Sequence, residues 1–558
     1  MPPRRSSRAT ATKPAKPDSL LTAKPAPRGR TQKRPASSDT SPSPSPPPPA
    51  KRTRTDTKKV EIAEPAVRPK SSARTPSGAK KVPAAPSALK PQSKAKTTKK
   101  PLLAPKVVPQ QKPYFNPLPT APEHIRPPCQ LFGWGAGNFG QLGMGADLLD
   151  EYPKPKKNVW MEKKIQEGVF GEDGAGLEAI AAGGMHTIFI DEKGTVWSCG
   201  VNDEGALGRL TQNNPDKPDE VVDLDQLTST PYPLQSLIDE NFRAVKIAAG
   251  DNVCAAISSN GELRVWGSFR DNNGSLGFSS ASQRQFLPSS ILELKHKPGD
   301  AEKFVSVASG NNHLLVLTTH GNIYTLGAGE EGQLGRKVIQ RRKIHGTFPE
   351  KIHLEPRSRK AVVVGAGNNH SFVVDDHGDV WGWGLNTMGQ TGTGYSSASA
   401  DSEVHAPKKV IGLSKEELDG ATVVEIAGGD HHTLFLTSNG RVFACGRSND
   451  GQLGLADDDA AFEDREWPNF ITEPALITFP DADDPVIHIS AGTHNNLAVT
   501  AGGALYAWGA QTQGELGIGD GEEARTPQTV VRKEGGSWSA VAAACGGQHT
   551  IALLRKKS

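Results

Sequence analysis

The stretch GVNDEGALG, residues 200–208, recurs along the chain with fixed spacing, and this recurrence decides the fold. The first glycine of each copy lies eight residues before the last one, and most copies end in Leu-Gly. We call this element the glycine loop. Its other copies with the same spacing are GAGNFGQLG (135–143), GAGEEGQLG (327–335), GLNTMGQTG (384–392), GRSNDGQLG (446–454) and GAQTQGELG (509–517), and a longer copy is GSFRDNNGSLG (267–277).

A second element, which we call the histidine turn, alternates with the glycine loop. It consists of an apolar run, a small residue with glycine and, in most copies, a histidine. Seven copies occur: IAAGGMHT (180–187), IAAGDNVC (247–254), VASGNNHL (307–314), VGAGNNHS (364–371), IAGGDHHT (426–433), ISAGTHNN (489–496) and AACGGQHT (543–550). The chain therefore contains seven copies of each element.

The length of the repeat indicates which kind of unit it encodes. Successive glycine loops end 57 to 69 residues apart, which is too long for a helical hairpin and suits a four-stranded antiparallel sheet. Residues 187–190 and 195–198 are apolar runs separated by Asp-Glu-Lys-Gly, a pattern typical of strand, turn and strand. The sequence thus predicts an all-β fold, a seven-bladed β-propeller with four-stranded blades.

The order of the two elements predicts how the propeller closes. The repeated region begins with an unpaired glycine loop (131–143) and ends with an unpaired histidine turn (541–554). We expect these halves to form one blade, so that N-terminal and C-terminal strands pair and no sheet edge stays open.

Composition divides the chain of 558 residues near Pro128. The first 128 residues carry 28 Lys and Arg against six Asp and Glu, a net charge of +22, and the rest carries 37 against 55, a net charge of −18. The first part also holds 28 of the 44 prolines and two of the 59 glycines. Such a segment buries too little apolar surface to offset its ordering entropy. We therefore predict a disordered tail over 1–128 and the propeller over 129–558.

Several classes of protein are disfavoured by what the sequence lacks. No apolar run approaches the roughly 18 residues of a membrane span, and the N-terminus has no secretory signal, which indicates an intracellular protein. The five cysteines are scattered without paired spacing, so they are expected to be core thiols. No nucleophile elbow, P-loop or metal-ligand spacing occurs, so we predict no covalent catalysis, no cofactor and no metal.

The tail carries clustered basic residues that are typical of a nuclear import signal. These are Lys51, Arg52, Arg54, Lys58 and Lys59, which follow the Pro-rich run SPSPSPPPP at 41–49. A solvated basic linker is the alternative interpretation. In either case a polycation of this density is expected to bind the phosphates of DNA without sequence preference.

The repeat itself separates architectural residues from candidate functional ones. A histidine recurs in register at His186, His313, His370, His432 and His549, so its default role is structural. His431 is out of register, and Asp251 and Asn312 lie in histidine turns of other blades, facing one end of the propeller axis. One glycine loop alone spans ten residues, from Gly267 to Gly277. Its central residues are predicted to project from the rim: Ser268, Phe269, Arg270, Asp271, Asn272 and Asn273.

Three strings give the chain a specific resemblance to a known family. NDEGALGR (202–209), GSFRDNNG (267–274) and ASGNNHL (308–314), together with the repeat over 131–554, resemble the regulator of chromosome condensation family, in a fungal-like form with a long basic tail. Members are seven-bladed propellers that act as guanine-nucleotide exchange factors for the Ran GTPase. The resemblance implies that function here, with roles in nucleocytoplasmic transport and in mitotic spindle and chromosome control.

The resemblance also implies site residues. The long hairpin is expected to be a wedge against the phosphate-binding loop of the GTPase, and Asp251, Asn312, His431 and His549 are expected to contact the GTPase. A member of the family carries an acidic residue where this chain has Asn312, which leaves the role of that position open.

Chromatin contacts follow from the resemblance and from the charge distribution. The acidic propeller suits a basic GTPase surface, so DNA binding is expected to fall to the tail. Within the basic loop at 336–343, Arg341, Arg342 and Lys343 match a family loop that binds the acidic face of the core histones, although a solvated charge run is an equal alternative. We therefore expect Ran, core histones and nucleosomal DNA, and an import receptor as partners, and a chromatin-associated location in the nucleus.

Two other functions stay open at this point. A propeller adaptor or substrate receptor without exchange activity could use the same fold, although no adaptor module flanks the repeats. A plant ultraviolet photoreceptor is another relative, but its repeated Gly-Trp-Arg-His-Thr strings are absent: the corresponding positions read GGMHT, GDHHT and GGQHT. An enzyme built on a propeller is a remote third possibility.

Overall fold

The protein is described here from a computed structural model, which describes residues 111–211, 223–294, 296–395, 402–463 and 465–557. These residues form seven four-stranded antiparallel blades, two of which are joined by a single parallel bridge between Ala366 and Ala427. The predicted propeller fold is confirmed. The predicted import signal at 51–59 lies outside the described residues.

The first sixteen strands, in chain order, are β1 (Cys129–Gly135), β2 (Tyr152–Lys157), β3 (Leu177–Ala182), β4 (His186–Asp191), β5 (Val196–Gly200), β6 (Tyr232–Pro233), β7 (Ala244–Ala249), β8 (Val253–Ser258), β9 (Leu263–Gly267), β10 (Arg270–Asp271), β11 (Gly274–Ser275), β12 (Gln285–Ser289), β13 (His296–Lys297), β14 (Asp300–Ala301), β15 (Phe304–Ser309) and β16 (His313–Thr318).

The remaining strands are β17 (Ile323–Gly327), β18 (Glu350–Ile352), β19 (Ala361–Ala366), β20 (His370–Asp375), β21 (Val380–Leu385), β22 (Glu403–Lys409), β23 (Val423–Gly428), β24 (His432–Thr437), β25 (Val442–Arg447), β26 (Phe470–Leu476), β27 (Val486–Ala491), β28 (Asn495–Thr500), β29 (Leu505–Ala510), β30 (Glu523–Val531), β31 (Trp538–Cys545) and β32 (His549–Lys556). The helices are α1 (Val159–Gln166), α2 (Leu224–Ser229), α3 (Gln235–Asp239) and two 3-10 segments, Gln340–Thr347 and Ala460–Phe462.

Each blade begins at the propeller axis with a strand that precedes a histidine turn. Blade 1 consists of β3 to β6, blade 2 of β7, β8, β9 and β12, and blades 3 to 6 of β15–β18, β19–β22, β23–β26 and β27–β30. Blade 7 has the order β2-β1-β32-β31 and therefore combines both ends of the repeated region. In it Cys129 pairs with Arg555 and Gly135 with His549, which confirms the predicted closure.

The in-register histidines connect neighbouring blades. Each is almost fully buried, and its Nε2 lies 2.7 to 3.0 Å from a side chain in the second strand of the next blade. The pairs are His186 with Cys254, His313 with Ser371, His370 with Thr433, His432 with Asn496 and His549 with Thr187. The structural role predicted from the repeat register is confirmed.

The closing glycine of the glycine loop packs against the next blade. At Gly335, φ is +61° and a Cβ would lie 2.8 Å from Nε1 of Trp383, so only glycine fits this left-handed close approach. The same indole Nε1 donates a hydrogen bond to the carbonyl of Gln333, at 2.9 Å. Trp134, Trp266 and Trp508 make the equivalent bond in other blades. A closing glycine lies against such a tryptophan in four of the seven copies, at Gly208, Gly335, Gly454 and Gly517, which explains the glycine there.

The histidine turns surround one end of a central channel of about 900 Å³. We call this end of the propeller the upper face and the opposite end the lower face. Backbone hydrogen bonds join neighbouring turns, as from the Asp251 amide to the Asn311 carbonyl at 2.8 Å and from the Asn368 amide to the Gly429 carbonyl at 2.9 Å. Each glycine loop starts beside its own histidine turn, so both repeated elements lie on the upper face.

Residues 111–128, which we call the strap, lie on the lower face. The Asn116 side chain is buried there and donates to the carbonyls of Thr318 and Ala361 at 3.0 and 2.9 Å. Arg126 forms a bidentate pair with Glu192, at 3.0 and 2.9 Å, and residues 120–122 line the channel. The prediction of disorder up to Pro128 is therefore wrong for residues 111–128, because these specific polar contacts are invisible in average composition.

All five cysteines are free and buried, which confirms their prediction as core thiols. Among the described residues no helix has the length and apolar character needed to cross a membrane.

Candidate functional site

The long glycine loop of blade 2 forms a two-stranded hairpin on the upper face, made of β10 and β11. Arg270, Asn272 and Asn273 are exposed, as predicted. Ser268 and Phe269 are not: their exposed fractions are 0% and 1%. The Phe269 ring stacks near Phe278, at 6.3 Å between ring centres, within the hydrophobic core shared with blade 3.

The prediction that all six hairpin residues project is therefore wrong for Ser268 and Phe269. Both belong to the base of the hairpin, where Phe269 gains more by burying its ring than by exposing it. Asp271 is also mostly buried, with 9% of its side chain exposed. The surface that the hairpin offers to a partner is made by Arg270, Asn272 and Asn273.

Two neighbouring blades hold the base of the hairpin. From blade 1, Glu204 accepts a hydrogen bond from the Ser268 hydroxyl at 2.7 Å and pairs with Arg284 at 3.2 Å. Burial alone would raise the pKa of Glu204, but these two partners outweigh it and lower that pKa. From blade 3, Oδ1 of Asn312 accepts from the Arg270 amide at 2.9 Å.

This contact shows which property of Asn312 the hairpin uses, the hydrogen-bond acceptor of its side chain. An amide oxygen and a carboxylate oxygen both accept a hydrogen bond from a backbone N–H. The contact made by Asn312 here is with the hairpin and requires an acceptor, which either side chain supplies.

For the guanine-nucleotide exchange that the resemblance implies, we expect Asn312→Asp to keep a rate close to that of the natural chain, because the acceptor for the Arg270 amide stays. Asn312→Leu is expected to lower exchange about five- to tenfold, the effect of losing one hydrogen bond that positions the hairpin. The measurement is the rate of GDP release from Ran. Equal losses in both variants would contradict this positioning role and point to a direct contact through the amide.

Asp251 lies at the mouth of the channel, as predicted. Its carboxylate accepts from Nδ2 of Asn252 at 3.0 Å, and the Asp251 amide binds the next histidine turn. Burial raises the pKa of Asp251, and the positive charge of Arg270 opposes that rise. Asp251 and Arg270 are thus electrostatically coupled, although they belong to different loops of blade 2.

His431 is partly exposed on the upper face, with 24% of its side chain accessible. Its Nδ1 lies 2.7 Å from Oδ2 of Asp430. Burial raises the pKa of Asp430, but the interaction with His431 outweighs burial and the net effect is a lower pKa. The out-of-register histidine is accordingly available to a partner, whereas His432 beside it is buried.

His549 occupies a different environment from the one that the resemblance implies. Its exposed fraction is 0%, its Nε2 lies 3.0 Å from the Thr187 hydroxyl, and burial lowers its pKa to about 3. This burial and the contact with Thr187 support the architectural interpretation from its register. The contact of His549 with a GTPase, which the resemblance implies, stays a prediction.

Three residues contact the tip of the hairpin: Glu330 and Glu331, which the sequence analysis missed, and Lys343, to which it gave only a chromatin role. Oε2 of Glu330 accepts from the Asn272 amide at 2.6 Å, and Oε1 of Glu331 accepts from Nδ2 of Asn272 at 2.8 Å. Lys343 pairs with Asp271 at 3.2 Å and also with Glu330. The available signal was the Glu-Glu pair in the glycine loop of blade 3, but pairing it with a hairpin 58 residues earlier requires the blade arrangement.

The basic loop places its cations in different environments. Arg341 and Arg342 are exposed in the 3-10 segment Gln340–Thr347, and no ion-pair partner for either occurs in the described part of the chain. Lys343 is 22% exposed and engaged by Asp271 and Glu330. The Lys343 ammonium is thus already paired within the chain, whereas the contact of Arg341, Arg342 and Lys343 with histones stays a prediction.

Within the residues that the structure describes, no group of three or more His, Cys, Asp or Glu side chains is arranged to hold a metal ion. The upper face instead combines an ordered hairpin, a ring of polar turns and several carboxylates. Such an arrangement can bind a protein surface and has no evident means of covalent chemistry.

Comparison with known proteins places these features in context. The model of the RCC1-like domain matches residues 130–552. The chain is 34% identical to protein pim1 of Schizosaccharomyces pombe, over 81% of this chain and 80% of that protein. It is 30% identical to the guanine nucleotide exchange factor SRM1 of Saccharomyces cerevisiae, over 76% of this chain and 87% of that protein.

Solved structures of one yeast protein are also similar. Prp20p of Saccharomyces cerevisiae, described with its binding to Gsp1p and histones, superposes with a TM-score of 0.65 at 28% identity, covering 80% of this chain and 93% of that one. Prp20, yeast RCC1, bound to Kap60 gives a TM-score of 0.66 at 27% identity, covering 84% and 97%.

Proposed function

The chain belongs to the RCC1-like domain family, and from this membership we infer that it is a guanine-nucleotide exchange factor for the Ran GTPase. It accelerates release of GDP and does no covalent chemistry. The observation that carries this function is the similarity to the exchange factor SRM1 over 87% of that protein's length, together with the Prp20p fold described with Gsp1p binding.

The upper face supports a mechanism for release. A GTPase holds its nucleotide through a backbone cradle, a lysine and Mg²⁺. A partner that prefers the nucleotide-free GTPase lowers the affinity of the GTPase for nucleotide. Bound nucleotide lowers the affinity of the GTPase for that partner by the same factor. In our proposal the hairpin, through Arg270, Asn272 and Asn273, displaces the phosphate-binding loop, while carboxylates such as Asp251 disfavour retention of the metal.

The first test is release of a fluorescent GDP from Ran by catalytic amounts of the protein. A fragment for this purpose begins at residue 111, because the strap packs on the propeller. We expect fast release from Ran and no acceleration with a Ras-type GTPase as the control. Absence of release from both would favour the propeller adaptor.

Chromatin is the proposed site of action. Prp20p was described with its binding to histones, and in this chain Arg341 and Arg342 offer two exposed guanidinium groups without partners among the described residues. Guanidinium binds carboxylates bidentately, so this pair suits the acidic surface of the core histones. The basic tail adds binding to nucleosomal DNA through its phosphates.

We expect the double variant Arg341→Ala, Arg342→Ala to bind nucleosomes about thirtyfold more weakly, since each of the two lost charge-assisted contacts contributes about 1 kcal/mol or more. Lys337 is also exposed in this loop, so Lys337→Ala is the control for the loss of one positive charge. Binding is measured by mobility shift at fixed salt concentration. Unchanged binding of the double variant, with loss on deletion of the tail, would assign all chromatin contact to the tail.

The location follows from these partners. A Ran exchange factor that binds histones acts in the nucleus on chromatin, and Prp20 was solved bound to Kap60. We propose that an import receptor recognises the basic cluster from Lys51 to Lys59. Relocation of the protein to the cytoplasm after Lys51→Ala, Arg52→Ala and Arg54→Ala would support this assignment, and retained nuclear accumulation would refute it.

A further inference from the structure

We propose that Glu330 and Glu331 of blade 3 are positioning residues that hold the hairpin of blade 2 in the orientation in which it acts on the GTPase. The inference rests on the proposed exchange function. It extends that function to residues outside the hairpin and outside the ring of histidine turns.

The tip of the hairpin depends on contacts from another blade. β10 and β11 contain two residues each, and an isolated two-stranded ribbon is only marginally stable in water even when it is longer. Within the tip, the Asn273 amide donates to the Asp271 side chain at 2.8 Å. Asn272 bonds outside the hairpin, where both its backbone amide and its side-chain amide donate to blade 3.

An ion-pair arrangement strengthens this contact. Lys343 lies between Asp271 of the hairpin and Glu330 of the glycine loop, and these three side chains are 22%, 9% and 12% exposed. The hydrogen bond with Glu330 is the main cause of the raised pKa of Lys343. Because charges this far from water are costly to leave unpaired, the hairpin, the glycine loop and Lys343 favour one joint arrangement.

The register of the repeats gives independent support. The fifth residue of the glycine loop is glutamate in blade 1 and in blade 3, at Glu204 and Glu331, the two blades that flank the hairpin. The other loops of standard length carry different residues there: Met388, Asp450, Gln513 and Phe139. Glu204 holds the base of the hairpin through Ser268, and Glu331 holds its tip through Asn272.

These contacts make the hairpin ordered before the GTPase arrives. A surface that is ordered in advance does not lose conformational entropy during association or during the step that it assists. Without Glu330 and Glu331, Arg270, Asn272 and Asn273 are still exposed on the hairpin. The hairpin must then become ordered each time it binds the GTPase, which costs conformational entropy. Exchange at saturating Ran is therefore expected to fall more than the affinity for GDP-bound Ran, which other parts of the upper face also supply.

The test uses the double variant Glu330→Ala, Glu331→Ala in the full chain. We expect kcat for GDP release to fall about tenfold, the effect of about 1.4 kcal/mol, with KM changed about twofold or less. Asp450→Ala is the matched control, because Asp450 has the register of Glu331 in blade 5 and pairs there with Arg447. Glu330→Gln, Glu331→Gln keeps the acceptor oxygens and is expected to restore most of the rate.

A second measurement keeps the result interpretable if the double variant is less stable. Hydrogen exchange of the Asn272 amide, without GTPase, is expected to be faster in the alanine double variant than in the natural chain and in Asp450→Ala. If the natural chain releases GDP and the alanine variant does so at the same rate, the proposal is overturned. If the natural chain itself fails to release GDP, the exchange function is wrong, whereas unchanged Asn272 protection refutes the contact separately.

Discussion

Deleting Asn272 and Asn273 is expected to lower exchange on Ran about a hundredfold or more while the melting temperature stays nearly constant. The deletion turns GSFRDNNGSLG into GSFRDGSLG, which has the eight-residue spacing of GRSNDGQLG in blade 5. It keeps Phe269 in the core and removes only exposed residues from the tip. Misplacing a group by about an ångström can cost about a hundredfold in rate, and here two of the three presented side chains disappear.

The measurement pairs GDP release with thermal unfolding of the same preparation. The control is the double variant Asn272→Ala, Asn273→Ala. It keeps the length of the loop and the backbone amide that donates to Glu330. We expect the control to retain more activity than the deletion, because the hairpin still reaches its position. Full activity of the deletion variant would rule out the hairpin as the element that displaces the nucleotide.

Acid is expected to unfold the propeller steeply between about pH 6.5 and pH 4. Burial lowers the pKa of His186 and His432 to about 4, and of His313, His370 and His549 to about 3. The unfolded chain binds protons at these five sites below about pH 6.5, whereas the folded chain does not. Stability rises with pH wherever the unfolded state binds more protons, so it falls as the pH drops through this window.

The size of the effect follows from the number of sites. Each additional proton taken up on unfolding changes the free energy of unfolding by about 1.4 kcal/mol per pH unit, so five sites together give about 7 kcal/mol per unit. Stabilities of folded domains are about 5 to 15 kcal/mol, so a fall of one to two pH units removes a comparable amount. Urea unfolding at a series of pH values measures this slope.

A single variant isolates the histidine contribution from that of the carboxylates. Blade 6 carries Asn495 at the register of these histidines, where its Nδ2 lies 3.6 Å from the Cys545 sulfur. His313→Asn places in blade 3 the residue that blade 6 has at this position. Below pH 6, the slope of its free energy of unfolding against pH is expected to be smaller by the contribution of one proton. An unchanged slope would show that His313 takes up its proton in the folded state.

The repeat made much of the fold predictable, because internal copies supply their own comparison. Spacing predicted four-stranded blades, and the two unpaired halves predicted that the N-terminal and C-terminal strands would pair in one blade, as β1 and β32 do. The register also predicted that His549 has an architectural role, and its burial in the structure agrees with that role. The ten-residue spacing correctly marked the hairpin as the exceptional loop.

The features that the sequence could not predict are contacts between residues that are far apart in the chain and close in the folded protein. Exposure within the hairpin was misjudged at Phe269, because its core partners lie in the neighbouring blade. The contacts of Glu331 and Lys343 join segments far apart in the chain, and no local pattern encodes them. The boundary of the tail was misplaced because Asn116 gains its order from two carbonyls of the propeller.

The strap determines which contacts a force applied through the N-terminal segment would break first. A force applied to the chain before residue 111 reaches the propeller first at the strap. There Lys112 bonds to Gly299 in the turn between β13 and β14, and Asn116 bonds to blades 3 and 4 on the lower face. The buried Asn116 amide and the Arg126–Glu192 pair would have to yield in succession before tension reached β1 and the closing blade. The contacts of the strap therefore protect the pairing of β1 with β32, which closes the ring, from a force applied through the N-terminal segment, and the hairpin lies on the opposite face.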